Sequence, residues 1–178
     1  AVAGGMAGEP VPLVKCKTVD LEVPATAEIV LEGIIPTDSM EREGAFGEFT
    51  GYMGAEQINH YFNLTCVTHR KKPIFNAFLS QFPPSESSKL RGVSTEAVFT
   101  KLLKQDCNVP FVIEVAFPEH CGSQSMVVIR MERGHSVDAW RALLGAASYT
   151  SGFGKIIVAV DDDIDPSNMT EVFWALGT

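Results

Sequence analysis

The chain has 178 residues, of which 46% are hydrophobic and 20% are charged, and this balance is typical of a globular domain that can bury a core. The formal net charge is −8 and no basic cluster occurs, which argues against binding to nucleic acid or to an anionic membrane surface. No apolar run approaches the roughly 20 residues that a membrane-spanning helix needs.

Strand-like patterns dominate the first half of the chain. The first pattern alternates loosely between apolar and polar side chains, breaks near Thr18 and stops at Pro24. A β-branched run follows, which is typical of a buried strand, and a later alternating run is predicted to form a hairpin with its successor. The predicted strands are Leu13–Val23, Ala27–Ile35, Phe62–Arg70 and Ile74–Leu79.

The middle of the chain combines a possible linker with a helix. The segment Gln81–Ser88 is rich in proline, serine and glutamate, and a linker is one interpretation of it. A helix is predicted over Ser94–Gln105, with Ser94 as its N-cap. The apolar stripe of this helix is predicted to contain Val98, Leu102, Phe99 and Leu103.

Strands and helices alternate in the last third of the chain. A helix over Val137–Ala147 is predicted to begin at Ser136, and the fully apolar run Ile156–Val160 predicts a strand that precedes a third helix over Met169–Leu176. The predicted strands on either side of the Pro118–Ser123 turn are Val112–Phe117 and Met126–Met131. The inward-facing residues of the second helix are predicted to be Trp140, Leu143 and Leu144. A tally of about seven strands and three helices indicates an α+β barrel domain.

The most distinctive stretch is Glu43–Tyr52, with the sequence EGAFGEFTGY. Its three glycines argue against a helix, so a bent loop is predicted to bring the carboxylates of Glu43 and Glu48 to one cavity. The aromatic residues that could line this cavity are Phe46, Phe49 and Tyr52. An apolar wall keeps a carboxyl group protonated to higher pH, as a general acid near neutral pH requires. An ordinary surface loop is the alternative interpretation.

This stretch resembles the signature of the UbiD family of reversible decarboxylases. The family pattern is Glu-Gly-Pro-Phe-Gly-Glu, two further residues and Gly-Tyr, and Ala45 stands where proline is usual. Two other stretches also resemble the family, in the same order along the chain, and together the three cover most of it. They are Pro24–Gly33, which precedes the signature, and Lys155–Asp165, which is followed by Val172–Leu176.

The resemblance implies both a fold and an activity. Residues 1–178 would be the central domain of a longer decarboxylase, a split β-barrel like that of flavin reductases, with the flanking domains absent from this chain. The reaction would be the reversible, non-oxidative decarboxylation of an aromatic or α,β-unsaturated carboxylic acid by a carboxy-lyase. Prenylated FMN would serve as the electron sink.

The resemblance also assigns roles to particular residues. Glu48 matches the family's proton donor, and Glu43 matches a partner glutamate that would interact with an arginine outside this chain. The region of Leu90 and Arg91 corresponds to the lining of the substrate pocket, where Arg91 could bind a second carboxylate or a phenolate in bidentate fashion. A solvated arginine is the alternative interpretation.

Further ions and partners follow from the same resemblance. A divalent metal, Mn or Mg, would hold the flavin phosphate, and potassium is a further candidate ion. Their ligands would lie outside this chain, before Ala1, and an expected lysine would follow Thr178. Both ends therefore look like cuts through a longer chain, so the isolated piece is expected to be inactive, whereas the complete enzyme is expected to be a homo-oligomer.

Other metal sites and disulfides receive little support from the sequence. The run Asp161–Asp165 could bind a divalent cation, but an acidic start of a helix explains it equally well. The four cysteines form no Cys-x-x-Cys pair or zinc spacing, so reduced thiols and a cytoplasmic location are expected. These cysteines are Cys16, Cys66, Cys107 and Cys121.

A non-catalytic module is the competing hypothesis. The chain would then be a flavin-reductase-like barrel that serves as a scaffold or assembly domain, and the two glutamates would only shape a loop. Absorbance and mass spectrometry of the purified protein separate the two hypotheses, because only the enzyme is expected to carry a prenylated flavin.

Overall fold

A computed structural model describes residues 2–149 and 152–178. These residues form four α-helices and nine short strands, so the predicted α+β class is confirmed, with one helix more than predicted. The chain divides into two compact units. The first unit contains Ala1–Phe46 and Gly54–Ala77, and the second unit contains Gly47–Met53 and Phe78–Thr178.

The first unit consists of one short helix and three antiparallel strand pairs. Its elements are α1 (Val2–Ala7), β1 (Leu13–Lys15), β2 (Glu22–Pro24), β3 (Ile29–Ile34), β4 (Glu41–Glu43), β5 (Gln57–Asn59) and β6 (Asn63–His69). Strand β1 pairs with β2, β3 with β6, and β4 with β5. The pairing of β3 with β6 shifts register between Glu32 and Gly33, where a Cβ on Gly33 would collide with the carbonyl oxygen of Asn63.

Several predictions for this part of the chain are wrong. Residues 74–79 form no strand, so the predicted hairpin with β6 does not occur. Strand β3 exposes most of its apolar side chains, Leu31 among them, because a strand is buried only where another layer covers its face. Helix α1 and the three-residue strands β4 and β5 were not predicted, and the two glycines of α1 disfavour a helix.

The second unit contains a three-stranded sheet and three α-helices. Its elements are α2 (Glu86–Lys101), β7 (Val112–Ala116), β8 (Met126–Met131), α3 (Ser136–Ala147), β9 (Ile156–Val160) and α4 (Met169–Gly177). Helix α2 continues into a π-helical turn over Leu102–Asp106. The central strand β8 pairs antiparallel with β7 and parallel with β9, and α3 forms the crossover that a parallel pair requires.

Apolar side chains bury both faces of this sheet. Successive side chains of a strand point to opposite faces, so Val127 and Val128 of β8 enter different clusters. Val127 packs in the cluster that contains Phe99 of α2 and Ala142 of α3, whereas Val128 packs in the cluster that contains Val172 of α4. The predictions of β7, β8, β9 and α4 are confirmed.

Helix α2 begins earlier than predicted. Ser85 is its N-cap and accepts a hydrogen bond from the backbone N–H of Ser88, while the Ser88 hydroxyl accepts one from the backbone N–H of Ser85. This reciprocal capping box starts the helix inside the segment interpreted as a linker. Ser94 is therefore an interior residue, and its hydroxyl donates back to the carbonyl oxygen of Arg91.

The buried faces of α2 and α3 also differ from the predictions. Phe99 and Leu103 are fully buried, while Val98, which was placed in the same stripe, is exposed. The other named stripe member, Leu102, is half-buried. In α3, Trp140 is 63% exposed, so its predicted inward orientation is wrong.

Small residues form the contact face of α3. Leu144 is exposed and Leu143 only half-buried, whereas Ala142 and Ala146 are buried. A Cβ on Gly145 would lie 3.0 Å from the Cys107 sulfur, so the helix approaches its neighbours too closely for large side chains. The prediction placed the largest apolar side chains of α3 inward, but Trp140 and Leu144 are exposed and small residues face the core.

The predicted split barrel is not found in the described residues. Their strands form three two-stranded sheets and one three-stranded sheet, and none of these sheets closes on itself. A barrel requires a sheet with enough strands to close, and two-stranded pairs are far from that number. The assignment of residues 1–178 as one central domain remains a prediction.

One carboxylate organises the start of the first unit. Glu32 of β3 is only 3% exposed, and the backbone N–H groups of Lys17 and Thr18 donate to its oxygens over 2.6–2.9 Å. The Thr18 hydroxyl donates as well. The Lys17 hydrogen bond lowers the pKa of Glu32 most, and the Thr18 bonds add to it, so the pKa lies below its usual value although burial alone would raise it.

We expect Glu32 to make the chain more stable at neutral pH than in acid. A lowered pKa contributes stability above the ordinary glutamate value of about 4.3, and this stability is lost as the pH falls through the lower folded value. Glu32→Gln should lower the melting temperature at pH 7, and the difference should shrink at pH 3. The exposed residue Glu22 provides the control Glu22→Gln, which should melt like the wild type at both pH values. A deficit that is equal at both pH values would contradict this role.

Candidate active site

The candidate site begins at the end of β4. Glu43 is exposed there, and the side-chain amide of Asn59 on the partner strand β5 donates a hydrogen bond to its carboxylate. Next to it, Arg42 forms an ion pair with Glu56. The hairpin thus fixes the position of Glu43 by backbone pairing and by a side-chain hydrogen bond.

The loop that follows carries Glu48 and belongs to the second unit. Gly47 and Met53 form an isolated antiparallel bridge, and within it the backbone N–H of Glu48 donates to the carbonyl oxygen of Tyr52 at 2.9 Å. The N–H of Gly51 donates to the carbonyl oxygen of Glu48 at 3.0 Å and closes a tight turn. We call residues 47–53 the glutamate loop.

One of the three glycines in the stretch has the backbone geometry that the sequence predicted. Gly51 has a φ of +84°, a value that other residues rarely adopt, and a Cβ there would lie 2.8 Å from the Phe82 ring. Gly44 and Gly47 have no positive φ, and a Cβ on either would meet open space. The prediction of a bent loop is correct, but it depends mainly on Gly51.

The two glutamates belong to different units of the structure. Glu43 falls in the first unit and Glu48 in the second, and each is exposed. Their predicted meeting in one cavity therefore remains a prediction. Of the aromatic residues predicted to line that cavity, Phe46 is 50% and Tyr52 is 78% exposed, whereas Phe49 is half-buried.

Phe49 is fixed by two groups that the sequence did not connect with it. The guanidinium carbon of Arg91 lies 4.9 Å from the centre of its ring. On another side, a Cβ added to Gly122 would lie 2.7 Å from ring atoms of Phe49. Gly122 has a φ of +71°, so this position favours glycine for its backbone as well as for the space that the ring takes.

Arg91 lies inside α2, not before a helix as the sequence suggested. Its Nη1 donates to the carbonyl oxygen of Gly122 at 3.3 Å and to Oε1 of Gln124 at 3.0 Å. The side chain is half-buried, so the fully solvated alternative does not describe it. Leu90, its neighbour in the helix, is 63% exposed.

Arg133 pairs with the carboxylates of the acidic run Asp161–Asp165. Nη2 of Arg133 donates to Asp163 at 2.7 Å, and its Nε lies 3.5 Å from Asp161 and 3.3 Å from Asp162. The hydrogen bond with Asp163, followed by the charges of the three carboxylates, raises the pKa of Arg133. In residues 2–149 and 152–178, no group of three or more His, Cys, Asp or Glu side chains is placed to hold a metal ion.

Two family models match almost the whole chain. One is described as the 3-octaprenyl-4-hydroxybenzoate carboxy-lyase Rift-related domain and matches residues 1–82. The other is the C-terminal domain of the same carboxy-lyase and matches residues 89–178. This chain belongs to the UbiD family. The resemblance of Glu43–Tyr52 to the UbiD signature is thus confirmed at the level of the family.

Solved UbiD structures have the same fold. An evolved dimeric form of the UbiD-class enzyme HmfF from Pelotomaculum thermopropionicum, in complex with prFMN, is 38% identical with a TM-score of 0.86, and the match covers 99% of this chain and 40% of that one. Vanillic acid decarboxylase from Sedimentibacter hydroxybenzoicus is 31% identical with a TM-score of 0.81, covering 98% and 37%. The 3,4-dihydroxybenzoic acid decarboxylase AroY from Klebsiella pneumoniae is 26% identical with a TM-score of 0.78, covering 99% and 38%.

The solved chains are longer than this one. The UbiD chain described here spans about two fifths of the length of the solved chains that it matches.

In the part of the chain that the structure describes, no helix has the length and apolar character needed to cross a membrane. The four cysteines are free thiols and half-buried.

Proposed function

We propose that this chain is part of a longer UbiD-class decarboxylase that reversibly removes the carboxyl group of an aromatic or α,β-unsaturated carboxylic acid. The observation that carries the proposal is the glutamate signature, Glu43 to Tyr52, in a chain 38% identical to a UbiD-class enzyme in complex with prFMN. Other relatives are named for vanillic acid and 3,4-dihydroxybenzoic acid, which supports aromatic acids as substrates.

The proposed decarboxylation needs a proton donor, and we assign that role to this chain. When CO2 leaves a carboxylate, the electron pair of the broken C–C bond stays on the substrate carbon, which must then gain a proton. Prenylated FMN, when bound, supplies an electron sink for that pair. In our proposal the carboxyl group of Glu48 donates the proton and becomes a carboxylate, and because its side chain is exposed, water can protonate it again.

The remaining residues have supporting roles in the proposal. Glu43, oriented by Asn59, is the charged partner of the proton donor. Leu90 remains a proposed substrate contact, and Arg91 is either a second one or, through its packing on Phe49, a residue that positions Glu48. The described residues provide no group that fits a divalent metal, so no step is assigned to Mn, Mg or potassium, whose ligands we place outside residues 1–178.

The test uses the full-length protein that contains this chain, expressed with a source of prenylated flavin. We expect a bound flavin in absorbance and mass spectra, CO2 release from at least one of vanillic, 3,4-dihydroxybenzoic and cinnamic acids, and incorporation of ¹³C-bicarbonate into the product in the reverse direction. A folded protein with neither flavin nor CO2 release would favour the scaffold or assembly module instead.

A further inference from the structure

We infer that Arg91 acts by positioning the glutamate loop through Phe49, and that Arg91 and Gly122 together hold Glu48 in place. This inference rests on the proposed function, because it assigns the position of the proposed proton donor. It gives Arg91 a role other than contact with substrate. The contacts that carry it lie entirely within the second unit.

Glu48 is connected to Phe49 through the backbone of the glutamate loop. The two residues are adjacent, and both lie in the turn that the Gly51 N–H closes on the carbonyl oxygen of Glu48. A contact that holds the Phe49 ring therefore also restrains the backbone of the turn that carries Glu48. The Glu48 side chain is exposed, whereas the Phe49 ring is half-buried, so the ring is the part of this pair that the protein can hold.

Two groups hold the Phe49 ring, the Arg91 guanidinium and the Gly122 backbone. A guanidinium group over an aromatic face is attracted by the negative charge density of that face, and Arg91 lies 4.9 Å from the ring centre. The Gly122 backbone packs so closely against the ring that a Cβ would overlap it. Across the same turn, Gly51 packs against the Phe82 ring. The loop is thus held on two sides by aromatic contacts.

Arg91 is itself held by hydrogen bonds. Its Nη1 donates to Gly122 and to Gln124, and the Gln124 amide in turn donates to the carbonyl oxygen of Gly152 at 2.7 Å. These bonds orient the guanidinium plane before any substrate arrives. Gly122 accepts a hydrogen bond from Arg91 and also packs against the Phe49 ring. Arg91, Gly122 and Phe49 therefore contact one another directly.

The test combines hydrogen exchange with steady-state kinetics on the full-length enzyme. Arg91→Gln and Phe49→Leu should each speed amide exchange of the peptide that covers residues 47–53. Each should lower kcat roughly 10-fold or more with little change in KM, because an error of about 1 Å in position can cost 10²-fold in rate. Arg91→Lys keeps a charge over the ring and should recover part of the loss. The double variant should be no worse than the more impaired single variant, because both remove one contact.

Arg141 provides a matched control. It also donates to backbone carbonyl oxygens in the second unit, those of Cys107 and Asn108, but it has no place in the glutamate loop. In Arg141→Gln, amide exchange over residues 47–53 and kcat should both stay at their wild-type values. Wild-type exchange over residues 47–53 in Arg91→Gln would overturn the inference. A rise in KM at constant kcat would overturn it too, and would favour Arg91 as a substrate contact.

The exchange measurement also separates this inference from the proposed function. If Glu48 is not the proton donor, Glu48→Gln keeps its activity, yet Arg91→Gln still loosens the loop. If the positioning contact is wrong, Glu48→Gln is inactive while exchange in Arg91→Gln stays at the wild-type rate.

Discussion

Glu48→Gln is expected to abolish turnover in the full-length enzyme while leaving its fold intact. The amide keeps the shape of the side chain but cannot deliver a carboxyl proton, and general acid–base catalysis typically contributes about 10²–10⁴-fold. The loop itself should persist, because its hydrogen bonds use the backbone of Glu48 and not the carboxylate. Steady-state CO2 release, with bound flavin quantified in each preparation, measures the effect.

Glu41 offers a matched control for this experiment. It is an exposed glutamate of β4, in the same hairpin as Glu43, and the proposal gives it no role. Glu41→Gln should retain wild-type turnover. Near-normal turnover of Glu48→Gln would remove Glu48 from the mechanism, whatever the result for the control.

The second large effect is expected in the core of the second unit. Phe99 is fully buried, and its ring centre lies 4.9 Å from that of Phe117, 4.8 Å from that of Tyr149 and 5.9 Å from that of Phe153. Phe99→Ala removes these contacts and leaves a cavity, which typically costs about 3–5 kcal/mol of unfolding free energy. Urea unfolding followed by circular dichroism measures the loss.

The neighbouring residue Val98 tests whether α2 is oriented as the structure has it. The sequence placed both residues in the apolar stripe, but Val98 is exposed, so Val98→Ala should change the unfolding free energy by roughly 0.5 kcal/mol or less. Similar losses for Val98→Ala and Phe99→Ala would contradict this orientation.

The sequence predicted best those elements whose apolar pattern is sufficient by itself. Strands β8 and β9 are short apolar runs that contribute to the clusters on both faces of the sheet, and α4 has a clear start at the polar residues before Met169. The start of α2 was missed for a local reason. The serines that form its capping box, Ser85 and Ser88, sit in a proline-rich segment whose composition is also typical of a linker.

The parts that the sequence did not predict depend on contacts between distant residues. Nothing near Glu32 shows that Lys17 and Thr18 donate to it, because backbone N–H groups leave no mark in a sequence. Phe49 and Arg91 meet although they are far apart in the chain. The glutamate signature was recognised by its resemblance to a family, and physical reasoning alone left an ordinary surface loop open.

The contact between Phe49 and Gly122 has a consequence for the order in which the molecule assembles. The ribosome adds about 5–20 residues per second, so Phe49 is synthesised roughly 4–15 s before Gly122. During that interval the Phe49 ring lacks the Gly122 backbone against which it packs in the folded protein. Glu48, the proposed proton donor, can therefore reach its final position only after the turn between β7 and β8 has been made, when about half of the second unit has been synthesised.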